Sequence, residues 1–297
     1  MKSNKMSGYN LTGSIHTISV RSYGLVEDVP TELKNVISTS AKTNGTSKST
    51  TSIINPNKLH GEIYHYSELY SVMGEILAAA GIDEYSLIRA DLRLDSFDPK
   101  HYEQYAKLNK YLISALAVTY SVKNCYRSTD LFSQAQLSIA IKNRHFEAEN
   151  YDKEAESGGS DVAKSRLELR SKSFEAENLP NEFTGHWFLR LDKALTNLDR
   201  VQARYNDELI RLYHEGKDAD PCQFRSVTDF IIMYKDCIFT KAQLIDLLSR
   251  IPEVGPDKAK VKAENHKKRY GIEFFSLNDM RAAVGEIKRA TIAFFRS

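Results

Sequence analysis

No stretch of this 297-residue chain stays apolar for about 18 residues or more, so no membrane-spanning helix and no membrane partner are expected. The opening Met1-Lys-Ser-Asn-Lys has no apolar segment behind its charges, which argues against a secretory leader and for a cytoplasmic protein. Cysteine is scarce: Cys125, Cys222 and Cys237 are odd in number and far apart, the pattern of reduced thiols rather than of a disulfide framework or a zinc site. No internal repeat is visible. Charge of one sign is also lacking, with a net +2, but that figure averages unlike parts. From Pro221 to Ser297, 14 Lys/Arg stand against 9 Asp/Glu. The surplus is concentrated in Lys258, Lys260, Lys262, Lys267, Lys268 and Arg269, a basic end that suits a polyanion.

What is present is alternation. Leu137 to Lys153 reads as a hairpin, with Leu137, Ile139 and Ile141 alternating along one strand, Lys142-Asn143 as the turn, and a return through Phe146 and Ala148. Period-two geometry puts His145, Glu147, Glu149, Tyr151 and Lys153 on one face of the returning strand. Arg166, Glu168 and Arg170 share a face of the next strand, opposite Leu167 and Leu169. An earlier strand does the same with Arg89, Asp91, Arg93 and Asp95 against Ala90, Leu92 and Leu94. Taken singly, such strands describe an antiparallel sheet with a wet far side. Together they assemble the parts for phosphoryl transfer to a phenol: a tyrosine nucleophile, carboxylates for a metal, and cations for developing charge.

Elsewhere the expectations are plainer. Ser14–Arg21 fits a strand, Ser38–Ser52 a mobile polar loop, and His60–Tyr66 a second strand leading into a helix opened by Ser67 and stopped by Gly81. Asp98-Pro99 opens a long helix to about Val118. From about Asn181 the period turns helical, with helices capped at Thr240 and Ser276 flanking a basic connection. The fold class is therefore α+β: a mainly antiparallel sheet with flanking helices in residues 1–175, then a mostly helical part in 176–297. The latter suits a helix-turn-helix or winged-helix module, or a helical bundle with a charged loop.

The order Ile88-Arg-Ala-Asp91, long helix, hairpin, Arg144-His145-x5-Tyr151-x-Lys153-x-x-Glu156, then Arg166-Leu-Glu-Leu-Arg170 resembles the rolling-circle replication initiators of filamentous phages. More loosely it resembles those of Gram-positive plasmids. The resemblance spans about residues 85–175. It implies an origin-specific endonuclease and strand transferase in which Tyr151 attacks a phosphodiester, with Lys153 and Arg170 steadying the phosphoryl oxygens. It further implies Mg²⁺ or Mn²⁺ on Asp91, Glu147 and Glu168, and origin DNA, single- and double-stranded, as partner. A host helicase, a polymerase and a homodimer are the other partners it allows. Two features depart from the family. The His-hydrophobe-His metal motif is absent, and the plasmid branch carries its nucleophile on the strand before Tyr-Asp-Lys, near Ser138, where no tyrosine stands. Tyr151 follows the phage pattern alone, with Tyr126 in reserve. The alternatives are a non-enzymatic DNA-binding initiator or regulator and a related conjugative relaxase.

Overall fold

The computed structural model describes residues 10–24, 26, 29–44, 46–122, 131–133, 136–159, 163–172, 179–219 and 221–297. The chain begins with β1 (Leu11–Tyr23), β2 (Ile37–Asn44) and β3 (Ser47–Ile54), then the short α1 (Asn57–His60) and α2 (Tyr66–Ala79). Next come β4 (Tyr85–Ser96), α3 (Tyr102–Tyr120), β5 (Ile139–Lys142), β6 (Phe146–Asp152), the one-turn α4 (Lys153–Glu156) and β7 (Ser165–Lys172). The rest is helical: α5 (Leu179–Asn181), which runs through a π-helical turn (Glu182–His186) into α6 (Trp187–Leu195), then α7 (Leu198–Asp218) and α8 (Val227–Met233). Last are α9 (Lys241–Ser249), α10 (Gly255–Tyr270) and α11 (Leu277–Arg296).

All seven strands join one antiparallel sheet in the order β2-β3-β1-β4-β7-β6-β5. The alternation read from the sequence decides its two faces. Ile15, Ile18, Val20, Leu92, Leu94, Leu167, Leu169, Phe146 and Ala148 point to one side and are buried. Helix α3 lies beneath β5, β6 and β7, and every one of its residues from Tyr105 to Val118 is buried, because the C-terminal helices cover its other side. Its polar residues therefore take fixed partners. Asn109 donates to Asn150 of β6 at 3.0 Å, Tyr111 stacks on Phe239 at 4.3 Å, and Ser114 hydrogen-bonds Tyr205 at 2.9 Å. Under β1 lies α11, so close that a Cβ on Gly13 would stand 3.0 Å from the Ala290 carbonyl oxygen.

The expected boundary near 175 falls among residues 173–178, outside the described residues. The apolar cores on either side of it are continuous: Trp187 packs edge-on to Phe146 at 5.3 Å and donates its indole N–H to Ser171 Oγ at 2.8 Å.

Several expectations are corrected. Ser38–Ser52 is not a loop but the β2–β3 hairpin: backbone pairing needs no apolar side chains, and the few inward positions, Thr50, Ser52 and Ile54, are buried. His60–Tyr66 is not a strand. Asn57 ties that segment down instead, donating to the Ile15 carbonyl at 2.8 Å and accepting the Ile63 N–H at 3.0 Å. Helix α2 starts at Tyr66 without a side-chain cap, and Gly81 beyond its end has φ +66°. The basic connection is itself a helix, α10, because Ala259, Ala263 and His266 recur at helical spacing and bury against α9. Thr240 and Ser276 cap α9 and α11 as read, Ser276 in a full capping box with Asp279. No strand follows β7 among the described residues, so the winged variant of the C-terminal module is not formed there.

Candidate active site

The polar face of the sheet is built by register. Across β6, β7 and β4, three rungs line up: Tyr151, Arg166 and Asp95; Glu149, Glu168 and Arg93; Glu147, Arg170 and Asp91. The middle rung sets two glutamates side by side, an arrangement that costs free energy unless a cation intervenes. The cation is Arg170. Its guanidinium lies 2.5 Å from Glu168, 2.6 Å from Glu149, 3.3 Å from Glu147 and 3.7 Å from Asp91.

The other charges on this face are paired as well. Arg166 makes a buried two-pronged bond to Asp95 at 2.6 and 2.8 Å. Arg89 makes a half-buried two-pronged bond to Asp91 at 2.7 and 2.8 Å. Arg93 meets Glu62, and Glu147 takes Lys172 at 2.5 Å and Lys142 at 3.1 Å. Burial alone would push the Glu147 carboxyl up, but the bonds from Lys172 and Lys142 bring it down to about 2. Glu168 is only 1% exposed; burial opposes its ionisation, yet His16 and Arg170 hold it well below the usual carboxylate range.

Tyr151 donates its phenol O–H to Glu168 Oε1 at 2.8 Å. Burial, and then the Glu168 charge, push that phenol far above its ordinary value, so the hydroxyl is held protonated. The same Glu168 oxygen also has His16 Nδ1 beside it, at 3.3 Å. His16 reaches it because β1 carries a bulge there: Ile15 pairs with Leu92 and Thr17 with Asp91, so His16 is the extra residue and is aimed at the polar face. These groups open on a cavity of about 730 Å³, lined also by Thr17, Ile53, Arg89, Asp91, Ser138, Glu149, Asp152, Glu156 and Arg170. Its lining carries five carboxylates against two guanidinium groups.

The site residues expected from the sequence thus meet unequally. Tyr151, Glu168, Arg170 and Asp91 share the cavity. Glu147 is on the same face but faces its two lysines. His145 precedes β6, and Lys153 is not on the strand at all, because β6 ends at Asp152, whose carboxylate caps α4; Lys153 pairs with Glu156 within that turn. Ser138 lines the cavity, and Tyr126 lies outside the described residues. Asp91, Glu147 and Glu168 do not fit Mg²⁺ or Mn²⁺ as arranged. Their oxygens are engaged by Arg89, Arg170, Lys142, Lys172 and His16, and among the described residues no three His, Cys, Asp or Glu side chains form a group able to hold a metal ion. Sequence reasoning missed His16 and the role of Arg89. Arg89 was legible from alternation, whereas the bulge that aims His16 has no signature in the residues around it.

On α10 the cations Lys258, Lys260, Lys267, Lys268 and Arg269 are exposed and Lys262 is half-buried, with Ala259 and Ala263 turned inward. They ring the outer surface of a helix rather than lying in a loop, remote in sequence from the cavity.

No family model and no curated protein sequence matches this chain. Among solved structures it is similar to a rolling-circle replication initiator protein from Geobacillus stearothermophilus, at 12% identity and a TM-score of 0.30. That likeness covers 58% of this chain and 78% of the other.

Proposed function

We propose that this protein is a replication initiator that nicks and rejoins one DNA strand at an origin, with Tyr151 as nucleophile. The observation that carries this reading is the Tyr151 phenol, hydrogen-bonded at 2.8 Å to a buried glutamate that Arg170 and His16 also contact, at the wall of an open cavity. A nucleophile, a proton acceptor in contact with it, and a third group orienting the acceptor are the constituents of an activated hydroxyl. In the reaction Tyr151 Oη attacks the phosphorus and its proton passes to Glu168. The bond from phosphorus to the 3′ oxygen breaks, and that oxygen takes a proton from solvent. The products are a 5′-phosphotyrosyl link and a free 3′-OH, and the exchange of one phosphoester for another lets the strand be rejoined. Helix α10 supplies duplex affinity through its exposed lysines.

Mg²⁺ or Mn²⁺ belongs to the family resemblance rather than to this donor arrangement, and no step here runs through it. Comparing cleavage in EDTA with cleavage in added Mn²⁺ tests it separately.

A second reading, a DNA-binding initiator or regulator without nicking activity, is favoured by the pairing of every cation in the cavity wall with a carboxylate and by the phenol's resistance to ionisation. Tyr151→Phe separates the two. It removes one oxygen and keeps the ring, so the fold and DNA binding persist while cleavage and the covalent protein–DNA adduct vanish. If the phenylalanine variant still forms the adduct, another residue is the nucleophile. If the wild type forms none on its own replicon's DNA, the second reading holds.

A further inference from the structure

The cavity presents a difficulty for any anionic strand: its carboxylates outnumber its guanidinium groups, and those guanidinium groups are already paired. Affinity for phosphates must come from beside it. The same face of the sheet continues from the cavity wall at Thr17 and Ile53 onto β1, β3 and β2, and there the chemistry changes. Neither Leu11–Tyr23 nor Ile37–Ile54 contains a single Asp or Glu. Register places Arg21 beside Thr51 and Thr51 beside Ser40, and in the next rung Tyr23 beside Ser49 and Ser49 beside Lys42. Arg21, Lys42 and Tyr23 are exposed, the tyrosine by 78%, and neither cation is in an ion pair among the described residues. From strand spacing and rise, Arg21 and Lys42 are roughly 12 Å apart at Cα.

We propose that this acid-free β1–β3–β2 surface is the track along which single-stranded DNA reaches Tyr151, with Arg21 and Lys42 on its phosphates and Tyr23 stacked on a base. The inference rests on the strand-transfer reading for its partner, and on the charge contrast within one sheet face for its place. Cations spaced along a surface give sequence-independent backbone affinity, and an exposed aromatic ring binds a base only where that base is unstacked, as in a single strand. Ser40, Ser49 and Thr51 add neutral donors and acceptors between the cations. An unpaired strand can lie along this surface and bring a phosphodiester to the phenol at its end.

The test uses the full chain and a fluorescently labelled oligothymidylate, followed by anisotropy across a salt series. Arg21→Ala with Lys42→Ala is expected to lower the slope of log affinity against log salt by about 1.4, at about 0.7 per neutralised phosphate on a single strand. Tyr23→Ala is expected to weaken binding by about 5- to 140-fold, the loss of one base stack. All three side chains are exposed, and circular dichroism checks that the variants fold. Variants that bind within about twofold of wild type with the same salt slope overturn the track, and so does a wild type that does not bind the oligonucleotide. The reading it rests on fails separately, through the absence of a Tyr151-dependent adduct. Track variants that lose binding in a protein forming no adduct would keep the surface and drop the strand transfer.

Discussion

Replacing Arg170 by methionine keeps the aliphatic stem and removes the charge around which four carboxylates are arranged. The gross attraction of a single such pair is about 4 kcal/mol at ~4 Å and an effective dielectric of ~20. That sum is not the loss, because desolvation of buried charges offsets most of it; breaking a buried pair by removing one partner costs about 3–5 kcal/mol. The acids keep other partners: Asp91 has Arg89, Glu147 has Lys142 and Lys172, and Glu168 has His16 and Tyr151. The expectation is therefore the lower end, about 3 kcal/mol at pH 7 by urea unfolding. Acid changes the answer in a fixed direction. In the wild type the depressed Glu168 and Glu147 carboxyls contribute stability that is full above the unfolded value near 4.5 and is lost as pH falls towards their folded values. Without Arg170, burial raises the Glu168 carboxyl, so it protonates earlier and the variant loses less on acidification. The two stability curves should converge as pH falls below about 5, the gap at pH 3 being smaller than that at pH 7. Millimolar Mn²⁺ should raise the variant's midpoint, since the carboxylates then lack the one cation they share, and leave the wild type unmoved. A gap below about 1 kcal/mol at pH 7, or the same gap at both pH values, refutes the central role given to Arg170. A wild-type midpoint that rises with Mn²⁺ and stops rising in Asp91→Asn would put a divalent ion back among the carboxylates.

Neutralising Lys258, Lys260, Lys262, Lys267, Lys268 and Arg269 together should weaken duplex binding and lower its log–log salt slope by about 0.9 for each phosphate no longer neutralised; an unchanged slope makes α10 a solvated face only. Ser276→Ala removes the side-chain acceptor of the α11 capping box and should cost about 1 kcal/mol in urea unfolding. Burial lowers the Lys107 ammonium to about 8, where it donates to the Lys235 and Glu273 carbonyls. Between pH 8 and the unfolded value near 10.5 the folded chain binds fewer protons at this site than the unfolded one. Stability attributable to Lys107 should therefore rise with pH across that window, and the rise should be missing in Lys107→Met.

The strands that carry the candidate site were legible because alternation is a local property. Leu92, Leu94, Leu167, Leu169, Phe146 and Ala148 point inward wherever the sheet is closed, so Asp91, Glu168, Arg170, Glu147 and Tyr151 must point the other way. Helix caps at Thr240 and Ser276 are local too, and they stand where the residues placed them. Composition misled where backbone pairing did the binding: Ser38–Ser52 forms a hairpin with almost nothing to bury, and Lys258–Arg269 winds into a helix on two alanines and a histidine. What tertiary structure alone decided is which charges meet. Strand order brings β4 and β6 to either side of β7, and register sets Glu149 beside Glu168, so that Arg170 is the cation they share. A bulge in β1, one residue out of step, delivers His16 to the carboxylate that holds Tyr151. Contacts between residues 17 to 152 positions apart in the chain are set by the closure of the whole sheet, and no window of sequence contains them.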